Sequence, residues 1–213
     1  MSVTSAGAID ELSTVAAPDN RIIVDIDSTA WNLLDAMDRI AAHGDVTVPG
    51  PGTISYATVE SWEDLIPKSG GLENMLKLFD RAFDAKSMQA IGLFPGYLEA
   101  MQAFKDAGLA LHHWSDRPDS FQEPTRQVME QFLVPADEIL VRDRFDKIET
   151  AKQLGITRII DDKPSTIEAA VKAGMDVFSL RYRYNADVIA RYGIPHATSW
   201  SELCPMVLET VSK

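Results

Sequence analysis

Short continuous apolar runs alternate along the chain with segments in which apolar residues recur every three or four positions. The continuous runs predict buried strands, and the periodic segments predict amphipathic helices. Strands are expected at residues 21–27, 109–115, 138–142, 158–162 and 177–180. Helices are expected at 95–107, 122–133, 147–154 and 164–173, the last with Pro in its first turn. This alternation predicts an α/β fold, a doubly wound parallel sheet with helices on both faces.

The part of the chain between the first strand and residue 93 does not continue the alternation of strands and helices. A helical pattern opens at Ser28 and continues to Ile40, and residues 48–52 combine Pro and Gly as a loop does. Two short amphipathic stretches follow at 60–65 and 72–83. We expect a small, mainly helical domain inserted after the first strand. The predicted division is a flexible N-terminal tail at 1–20, a core domain at 21–30 plus 93–213, and the inserted domain at 31–92.

Polar side chains follow three of the predicted strands at the point where each strand ends. Ligands of parallel sheets bind at the carboxyl ends of the strands, so these side chains are expected to meet at one edge. The set comprises Asp25 and Asp27 after the first strand, Ser115 and Asp116 after the second, and Asp161 and Asp162 after the fourth, with Lys147 opening a nearby helix.

The four aspartates at the ends of the first and fourth strands would repel one another unless a cation lay among them. Oxygen ligands favour Mg²⁺, which takes one or two carboxylates and completes its coordination with waters and a substrate phosphate. Asp25 and Asp27 are two residues apart in an extended strand, so both side chains point to the same side. One carboxylate can attack phosphorus while the other handles a proton. Ser115 and Lys147 can hold the phosphoryl oxygens.

Together these residues resemble the haloacid dehalogenase (HAD) superfamily of phosphohydrolases. The resemblance covers about residues 21–180 and rests on four motifs in order. They are Ile22-Ile23-Val24-Asp25-Ile26-Asp27-Ser28-Thr29, Leu111-His112-His113-Trp114-Ser115, Lys147, and Ile159-Ile160-Asp161-Asp162. The insertion lies where this superfamily carries C1 caps, which implies a helical cap that closes over the substrate.

The resemblance implies a role for each matched residue. Asp25 would be the nucleophile and a metal ligand, and Asp27 the general acid and base, with its backbone carbonyl also on Mg²⁺. Asp161 and Asp162 would complete the metal site, with Asp162 favoured as the direct ligand because it aligns with the Asp of the family's Gly-Asp form. Residues expected at the phosphoryl group are Ser115, Asp116 and Lys147.

Residues 93–96 and 115–118 are similar to the 5'-nucleotidase and deoxyribonucleotidase branch of the superfamily. The sequence departs from that branch at Ser28, where many of those enzymes carry Gly. Trp31 and Arg117 are candidates for substrate specificity. Trp31 has a rival interpretation as ordinary core, and Lys152 is an alternative to Lys147.

The substrate expected from this resemblance is a small phosphorylated metabolite, first a nucleoside monophosphate and next a sugar phosphate. A dehalogenase of the same fold has no need of a second acid such as Asp27. A receiver domain carries its acidic pair early in the chain, whereas Asp161 and Asp162 come late. A non-catalytic phospho-binding or interaction protein on this fold is a further alternative, although every chemical position is filled.

The net charge of the chain limits the kinds of partner that it is expected to bind. Lys and Arg number 20 against 32 Asp and Glu, a net charge of −12, which repels a nucleic acid polymer and an anionic membrane surface. The sequence shows neither a membrane-length apolar run nor a secretory signal pattern, so we expect a cytoplasmic protein. The single cysteine, Cys204, excludes an internal disulfide. The oligomeric state stays open, with a homodimer as one possibility.

Overall fold

A parallel β-sheet forms the centre of the protein. The computed structural model describes residues 20–44, 46–49 and 52–211. Within these residues six parallel strands form one sheet in the order β3-β2-β1-β4-β5-β6. The strands are β1 (Arg21–Asp25), β2 (Ala110–Ser115), β3 (Glu138–Val141), β4 (Arg158–Ile160), β5 (Asp176–Leu180) and β6 (His196–Ala197). The sequence-based prediction of an α/β fold with a parallel sheet is confirmed.

Helices cover both faces of this sheet. They are α5 (Tyr97–Asp106), α6 (Gln122–Gln131), α7 (Lys147–Leu154), α8 (Pro164–Lys172), α9 (Ala186–Tyr192) and α10 (Trp200–Val211). Alternate side chains of β1 enter different cores, as the period of a strand requires. Ile22 and Val24 pack with Phe104 of α5 and Leu203 of α10, whereas Ile23 packs with residues of α7, α8 and α9 on the other face.

The segment between β1 and α5 folds into helices. These are α1 (Leu33–Ala42), α2 (Leu65–Lys68), α3 (Leu72–Ala82) and α4 (Ala85–Ile91), all within the predicted insertion at 31–92. Their apolar faces share one hydrophobic cluster with residues of the sheet domain, among them Ile26 after β1 and Val128 of α6. The helical character of the insertion agrees with the prediction, and its domain boundaries stay a prediction.

The two segments that connect the insertion to the sheet domain pair with each other. Trp31 and Leu93 form an antiparallel bridge, and the Phe94 N–H donates to the Ala30 carbonyl at 3.0 Å. The chain therefore enters and leaves the insertion through two short segments that lie side by side and are hydrogen-bonded to each other.

Several elements differ from the sequence prediction. The helix expected from Ser28 begins at Leu33, because residues 28–30 form a turn and the Asn32 side chain caps α1 by accepting from the Asp35 N–H. Only the last residue of the stretch at 60–65 is helical, and α4, α9, β6 and α10 were not predicted. The tail at 1–19 lies outside the described residues. No helix in the described part of the chain is long and apolar enough to cross a membrane.

Trp31 should be important for stability, because its side chain is 1% exposed and lies in the cluster that joins the insertion to the sheet domain. Trp31→Ala is expected to lower the free energy of unfolding by about 3–5 kcal/mol, as measured by urea denaturation. Leu72→Ala, in α3 and 54% exposed, is the control and should change it by less than about 0.5 kcal/mol. A loss below about 1 kcal/mol for Trp31→Ala would contradict this structural role.

Candidate active site

The carboxyl ends of β1, β2 and β4 open into a cavity beneath the insertion. Its volume is about 350 Å³, within the range of small-molecule sites. Asp25 and Asp27 line its floor together with Asp162. This edge is polar because the apolar residues of β1 lead to Asp25 and Asp27, and those of β4 lead directly to Asp161 and Asp162. The structure therefore brings the predicted acidic residues together.

Lys147 connects two of the buried aspartates. It is the first residue of α7, and its ammonium contacts Oδ1 of Asp25 and donates to Oδ2 of Asp161 at 3.0 Å. Asp161 is completely buried, and its other oxygen accepts the backbone N–H of Lys163 at 2.9 Å. The sequence alternative Lys152 lies in the last turn of the same helix. Lys147 is thus the lysine that compensates the charge of this edge.

The electrostatics of the site reflect an excess of buried carboxylates over buried cations. Burial raises the pKa of Asp25 well above its ordinary value; Lys147 opposes this shift, and the neighbouring aspartates add to it. Burial alone would lower the pKa of Lys147, but Asp161, Asp25 and Asp116 together raise it. The ammonium is therefore firmly charged, and one ammonium does not balance all the carboxylates around it.

Two hydroxyl groups orient Asp162. The Thr29 hydroxyl donates to its Oδ1 at 3.0 Å, and the Tyr184 hydroxyl donates to its Oδ2 at 2.6 Å. Burial and the charge of Asp161 raise the pKa of Asp162 to about 7, although both hydroxyl bonds act to lower it. Its backbone carbonyl also accepts from the Asn185 side chain at 3.0 Å. The carboxylate thus has a defined orientation toward the cavity.

The oxygen donors at this edge suit a hard divalent cation. No three acidic, histidine or cysteine side chains within the described residues form a metal cage by themselves. Mg²⁺ needs no such cage, because it is commonly bound by one or two carboxylates, waters and a substrate phosphate. Asp25 and Asp162 both face the cavity, and their raised pKa values indicate that the protein supplies too little positive charge to keep both carboxylates ionised. The residues present therefore fit Mg²⁺, with Asp162 better placed than the lysine-bound Asp161.

Asp27 is held by Ser115, the last residue of β2, and by Arg117, two residues after it. The Ser115 hydroxyl donates to Oδ2 of Asp27 at 2.9 Å. The Arg117 guanidinium forms a bidentate ion pair with both carboxylate oxygens, from Nε to Oδ2 at 2.8 Å and from Nη2 to Oδ1 at 2.6 Å. Ser115 is fully buried and Arg117 is 2% exposed. Both residues therefore contact the acid/base candidate itself.

Asp116 and Lys163 form a cation–anion pair at the cavity wall. The Lys163 ammonium donates to Asp116 at 2.6 Å, and both residues line the cavity. Burial alone would raise the pKa of Asp116, but Lys147 and Lys163 lower it, so the carboxylate is ionised at neutral pH. A negatively charged carboxylate repels a phosphate. Lys163, rather than the side chain of Asp116, offers positive charge to a bound anion.

Ser28 shows how the turn after Asp27 forms without glycine. Its φ is +60°, a left-handed conformation that favours glycine. Two tyrosine hydroxyls stabilise it: Tyr56 donates to the Ser28 hydroxyl at 2.9 Å, and Tyr182 donates to its carbonyl at 2.7 Å. The two tyrosine rings stack with centroids 4.4 Å apart. The serine is therefore held in place by residues from the insertion and from the loop after β5.

Aromatic rings form part of the lining of the cavity. Consecutive centroids lie 6.3, 5.7 and 5.4 Å apart along a row that we call the aromatic wall. The wall consists of Trp62, Phe79, Phe83 and Phe121, and all four line the cavity. Leu33, Leu76 and Pro118 extend this apolar surface. The only charged cavity-lining residue on the described part of the insertion is Asp80.

The structure places the predicted site residues in three groups. The residues that line the cavity are Asp25, Asp27, Asp116, Arg117 and Asp162. Outside its lining, Ser115 contacts the carboxylate of Asp27, Lys147 contacts that of Asp25, and Asp161 is joined to Asp25 through Lys147. Trp31 does not line the cavity but lies in the hydrophobic core, which favours its structural interpretation over a specificity role.

Sequence reasoning missed several residues of the site. Lys163 could have been noticed, because it follows the acidic pair directly and precedes the helix-starting Pro164. Thr29 was quoted within the first motif but received no role, although it holds Asp162. Tyr184 lies in an aromatic and basic run, residues 181–184, but its contact with Asp162 could not be predicted, because only the tertiary fold brings the loop after β5 against Asp162.

Comparisons with known proteins agree with this architecture. No protein-family model matches the sequence. A Bacillus cereus protein described as "Putative nucleotidase" is 26% identical over 117 residues, which cover 52% of this chain and 58% of that protein. The chain thus spans less than two thirds of the length of this curated relative.

Solved structures match nearly the whole chain. A predicted phosphatase from Clostridium acetobutylicum superposes with a TM-score of 0.65 at 17% identity, covering 90% of this chain and 99% of that one. A HAD family hydrolase from Deinococcus radiodurans, with bound phosphate and sodium, gives a TM-score of 0.61 at 18% identity and covers 92% and 97%. The chain therefore has the fold of HAD family hydrolases.

The raised pKa of Asp162 predicts a pH dependence of stability in metal-free buffer. Between its ordinary pKa of 3.8 and about 7, the folded protein keeps a proton on Asp162 that the unfolded chain has released. Stability from this group should therefore fall as the pH rises through that range. Buried His113 acts in the opposite sense, since its pKa is lowered to about 4.

The contribution of Asp162 is isolated by comparison with Asp162→Asn, because His113 is common to both proteins. The free energy of unfolding of the wild type minus that of the variant, measured by urea denaturation with a chelator, should decrease from about pH 4 to about pH 7. A difference that is flat or that increases with pH would show that Asp162 is not protonated in the folded state.

Proposed function

We propose that this protein is a phosphatase, a phosphoric monoester hydrolase that acts on a small phosphorylated metabolite through an aspartyl-phosphate at Asp25. One observation carries the proposal: Asp25 and Asp27 line the same cavity, with Lys147 in contact with the first and Ser115 and Arg117 holding the second. A nucleophile and a separate acid/base group facing one small cavity are what hydrolysis through a covalent intermediate requires.

The first step transfers the phosphoryl group to the protein. A carboxylate oxygen of Asp25 attacks phosphorus and the bond from phosphorus to the ester oxygen breaks. Asp27, protonated at this stage, gives its proton to the departing oxygen, so that an alcohol leaves. Lys147 and Lys163 offset negative charge near the phosphoryl group, and Mg²⁺ held by Asp25, Asp162 and the Asp27 carbonyl would supply further positive charge there.

The second step restores the protein. Asp27 is now a carboxylate and takes a proton from a water molecule, whose oxygen attacks the phosphorus of the aspartyl-phosphate. The bond to Asp25 breaks, inorganic phosphate leaves, and Asp27 holds the proton for the next cycle. No other acid or base is needed, because the proton given in the first step returns in the second.

The aromatic wall supports a nucleoside monophosphate as the substrate. The partly exposed rings of Trp62, Phe79 and Phe121 can contact the organic part of the substrate, whereas the Phe83 ring is buried and contacts Phe79 and Arg117. A nucleobase can stack on such faces, with a typical contribution of about 1–3 kcal/mol per base. A sugar phosphate would need several hydrogen-bonding groups, and Asp80 is the one charged lining residue that the described insertion provides. The similarity to the B. cereus protein points in the same direction.

The other expectations from the sequence belong to this proposal. A net charge of −12 suits a small-molecule substrate better than a nucleic acid polymer or a membrane surface. Cytoplasmic location and a homodimer stay predictions. The alternative of a non-catalytic phospho-binding or interaction protein is less favoured, because each chemical position of the site carries a suitable side chain.

Asp25→Asn tests the covalent mechanism. The variant should fold, because an amide of the same shape replaces the carboxylate, but it should lack the nucleophile. In single-turnover experiments with Mg²⁺ and a nucleoside monophosphate, phosphate release should fall by more than about 100-fold, which corresponds to about 2.7 kcal/mol in the barrier. A chelator should abolish wild-type turnover, and Mg²⁺ should restore it. A variant that retains more than about one hundredth of the wild-type rate would contradict nucleophilic catalysis by Asp25.

Asp27→Asn tests the acid/base role separately. It should reduce kcat/KM for a nucleoside monophosphate by about 10²- to 10⁴-fold, because the poor leaving group needs a proton. The loss should be much smaller for p-nitrophenyl phosphate, whose leaving group departs as an anion. Equal losses in kcat/KM for both substrates would argue against proton donation by Asp27.

Phe79→Ala tests the proposed substrate class. Removing this ring from the aromatic wall should lower kcat/KM for a nucleoside monophosphate by roughly 10- to 100-fold, the equivalent of one base stack. It should leave kcat/KM for a short alkyl phosphate nearly unchanged. Leu72→Ala, in the same helix but outside the cavity, is the control. A wild-type preference for sugar phosphates, or equal losses for both substrates, would contradict the nucleotide assignment.

A further inference from the structure

Arg117 occupies a position that neither phosphate binding nor substrate recognition explains. Its side chain is 1% exposed. All three guanidinium nitrogens have protein partners: Nε and Nη2 donate to Asp27, and Nη1 donates to the Thr125 hydroxyl at 2.8 Å and contacts the Met88 sulfur at 3.2 Å. Little hydrogen-bonding capacity is left for a ligand. The specificity role expected from the sequence therefore does not fit this geometry.

The groups around Arg117 come from both parts of the protein. Thr125 belongs to α6 of the sheet domain, whereas Met88 belongs to α4 of the insertion. The ring of Phe83, which follows α3, lies 4.5 Å from the guanidinium carbon as a cation–π contact. The guanidinium is thus fixed between the insertion and the sheet domain, and its two remaining donors point at the acid/base candidate.

We propose that Arg117 is a positioning residue for Asp27, which holds the carboxylate in the orientation for proton transfer and links that orientation to the seating of the insertion. This inference rests on the proposed phosphatase function. A planar guanidinium bound to both oxygens fixes the plane of a carboxylate, which a single hydroxyl such as that of Ser115 does not.

The hydrogen bonds also identify the oxygen of Asp27 that exchanges the proton. Oδ2 accepts from both Ser115, at 2.9 Å, and Arg117, at 2.8 Å. Oδ1 accepts from Arg117 alone, at 2.6 and 3.1 Å. A carboxylate oxygen has room for about two donors, and the Nε–H of Arg117 that reaches Oδ1 at 3.1 Å is shared with Oδ2, to which it lies closer. The second position on Oδ1 is therefore the one that the leaving-group oxygen or water can take. Without Arg117 the carboxylate would rotate, and this position would no longer face the substrate.

The test compares Arg117→Met and Arg117→Lys with two substrates of different leaving group. Arg117→Met should lower kcat/KM for a nucleoside monophosphate by about 10²-fold, at the lower end of general-acid effects, and for p-nitrophenyl phosphate by less than about 10-fold. Arg117→Lys keeps the positive charge but cannot bind both carboxylate oxygens of Asp27 at once. Its kcat/KM for the nucleoside monophosphate should be about 10-fold higher than that of Arg117→Met. Arg126→Met, at an exposed arginine paired with glutamates in α6, is the control and should change neither value by more than about 2-fold.

A double-mutant cycle with Asp27→Asn shows whether Arg117 acts through Asp27. In that background Arg117→Met should change kcat/KM by less than about 3-fold, because the group it positions is already inactive. A loss that is equal for both leaving groups, or that persists in Asp27→Asn, would overturn the proposal and leave Arg117 as a structural residue. An increase in KM with unchanged kcat would overturn it in favour of substrate binding.

A milder substitution keeps the test valid if Arg117→Met does not fold. Thr125→Val has the same shape and removes the acceptor of Nη1; it should lower kcat/KM for the nucleoside monophosphate by about 3- to 10-fold, with a smaller effect for p-nitrophenyl phosphate. An equal effect on both substrates would reject the positioning role.

Failure of the phosphatase assignment is distinguishable from failure of this inference. If the wild type hydrolyses no phosphomonoester, or if Asp25→Asn is fully active, the proposed function itself is wrong. If Asp25→Asn is inactive while Arg117→Met shows no dependence on the leaving group, only the role of Arg117 is wrong.

Discussion

The contact of the Lys147 ammonium with Asp25 and Asp161 is the interaction on which the site depends. Aspartates that follow apolar strands at the centre of a sheet are withdrawn from water, and like charges so close together oppose folding. Lys147 reduces that repulsion from the first turn of α7, in direct contact with both carboxylates. Its own charge is in turn stabilised by those carboxylates. Lys147 therefore neutralises only part of the negative charge of the buried aspartates, and the remainder is available to a bound cation.

The two other cavity-lining aspartates that follow β1 and β4 are held by groups other than Lys147. Asp162 is oriented by neutral hydroxyl groups of Thr29 and Tyr184, which supply hydrogen bonds and no cation. Asp27 receives a separate cation, Arg117, on the side toward the insertion. The two candidate catalytic carboxylates thus have different partners. That difference gives them different chemical environments although they are only two positions apart in the chain.

The fold was largely predictable, because its strands are continuous apolar runs and its sheet-domain helices are long enough to show a period. The helix at 147–154 was predicted to the residue, and the acidic ends of β1 and β4 indicated where the site would lie. Short elements escaped prediction: α4 has seven residues, too few for its period to stand out. The start of α1 was misjudged because Ser28 and Thr29 are typical residues at the start of a helix and Trp31 continues the apolar pattern, whereas backbone hydrogen bonds fold residues 28–31 into a turn. The partners of Arg117 and Asp162 lie on other elements, so local sequence carried no information about them.

The paired strands that connect the insertion to the sheet domain have a consequence for how such proteins diverge. Trp31 bridges Leu93, and the Phe94 N–H donates to the Ala30 carbonyl. The two connecting segments are thereby bound to each other, and Trp31 is also buried in the hydrophobic cluster that the insertion shares with the sheet domain. An insertion exchanged between relatives would have to carry both crossing segments and a matching apolar surface for Ile26 and Val128. Recombination at the apparent domain boundary would separate residues that have to change together, so new substrate preferences in this lineage should arise by point substitution in the cavity wall rather than by replacement of the whole insertion.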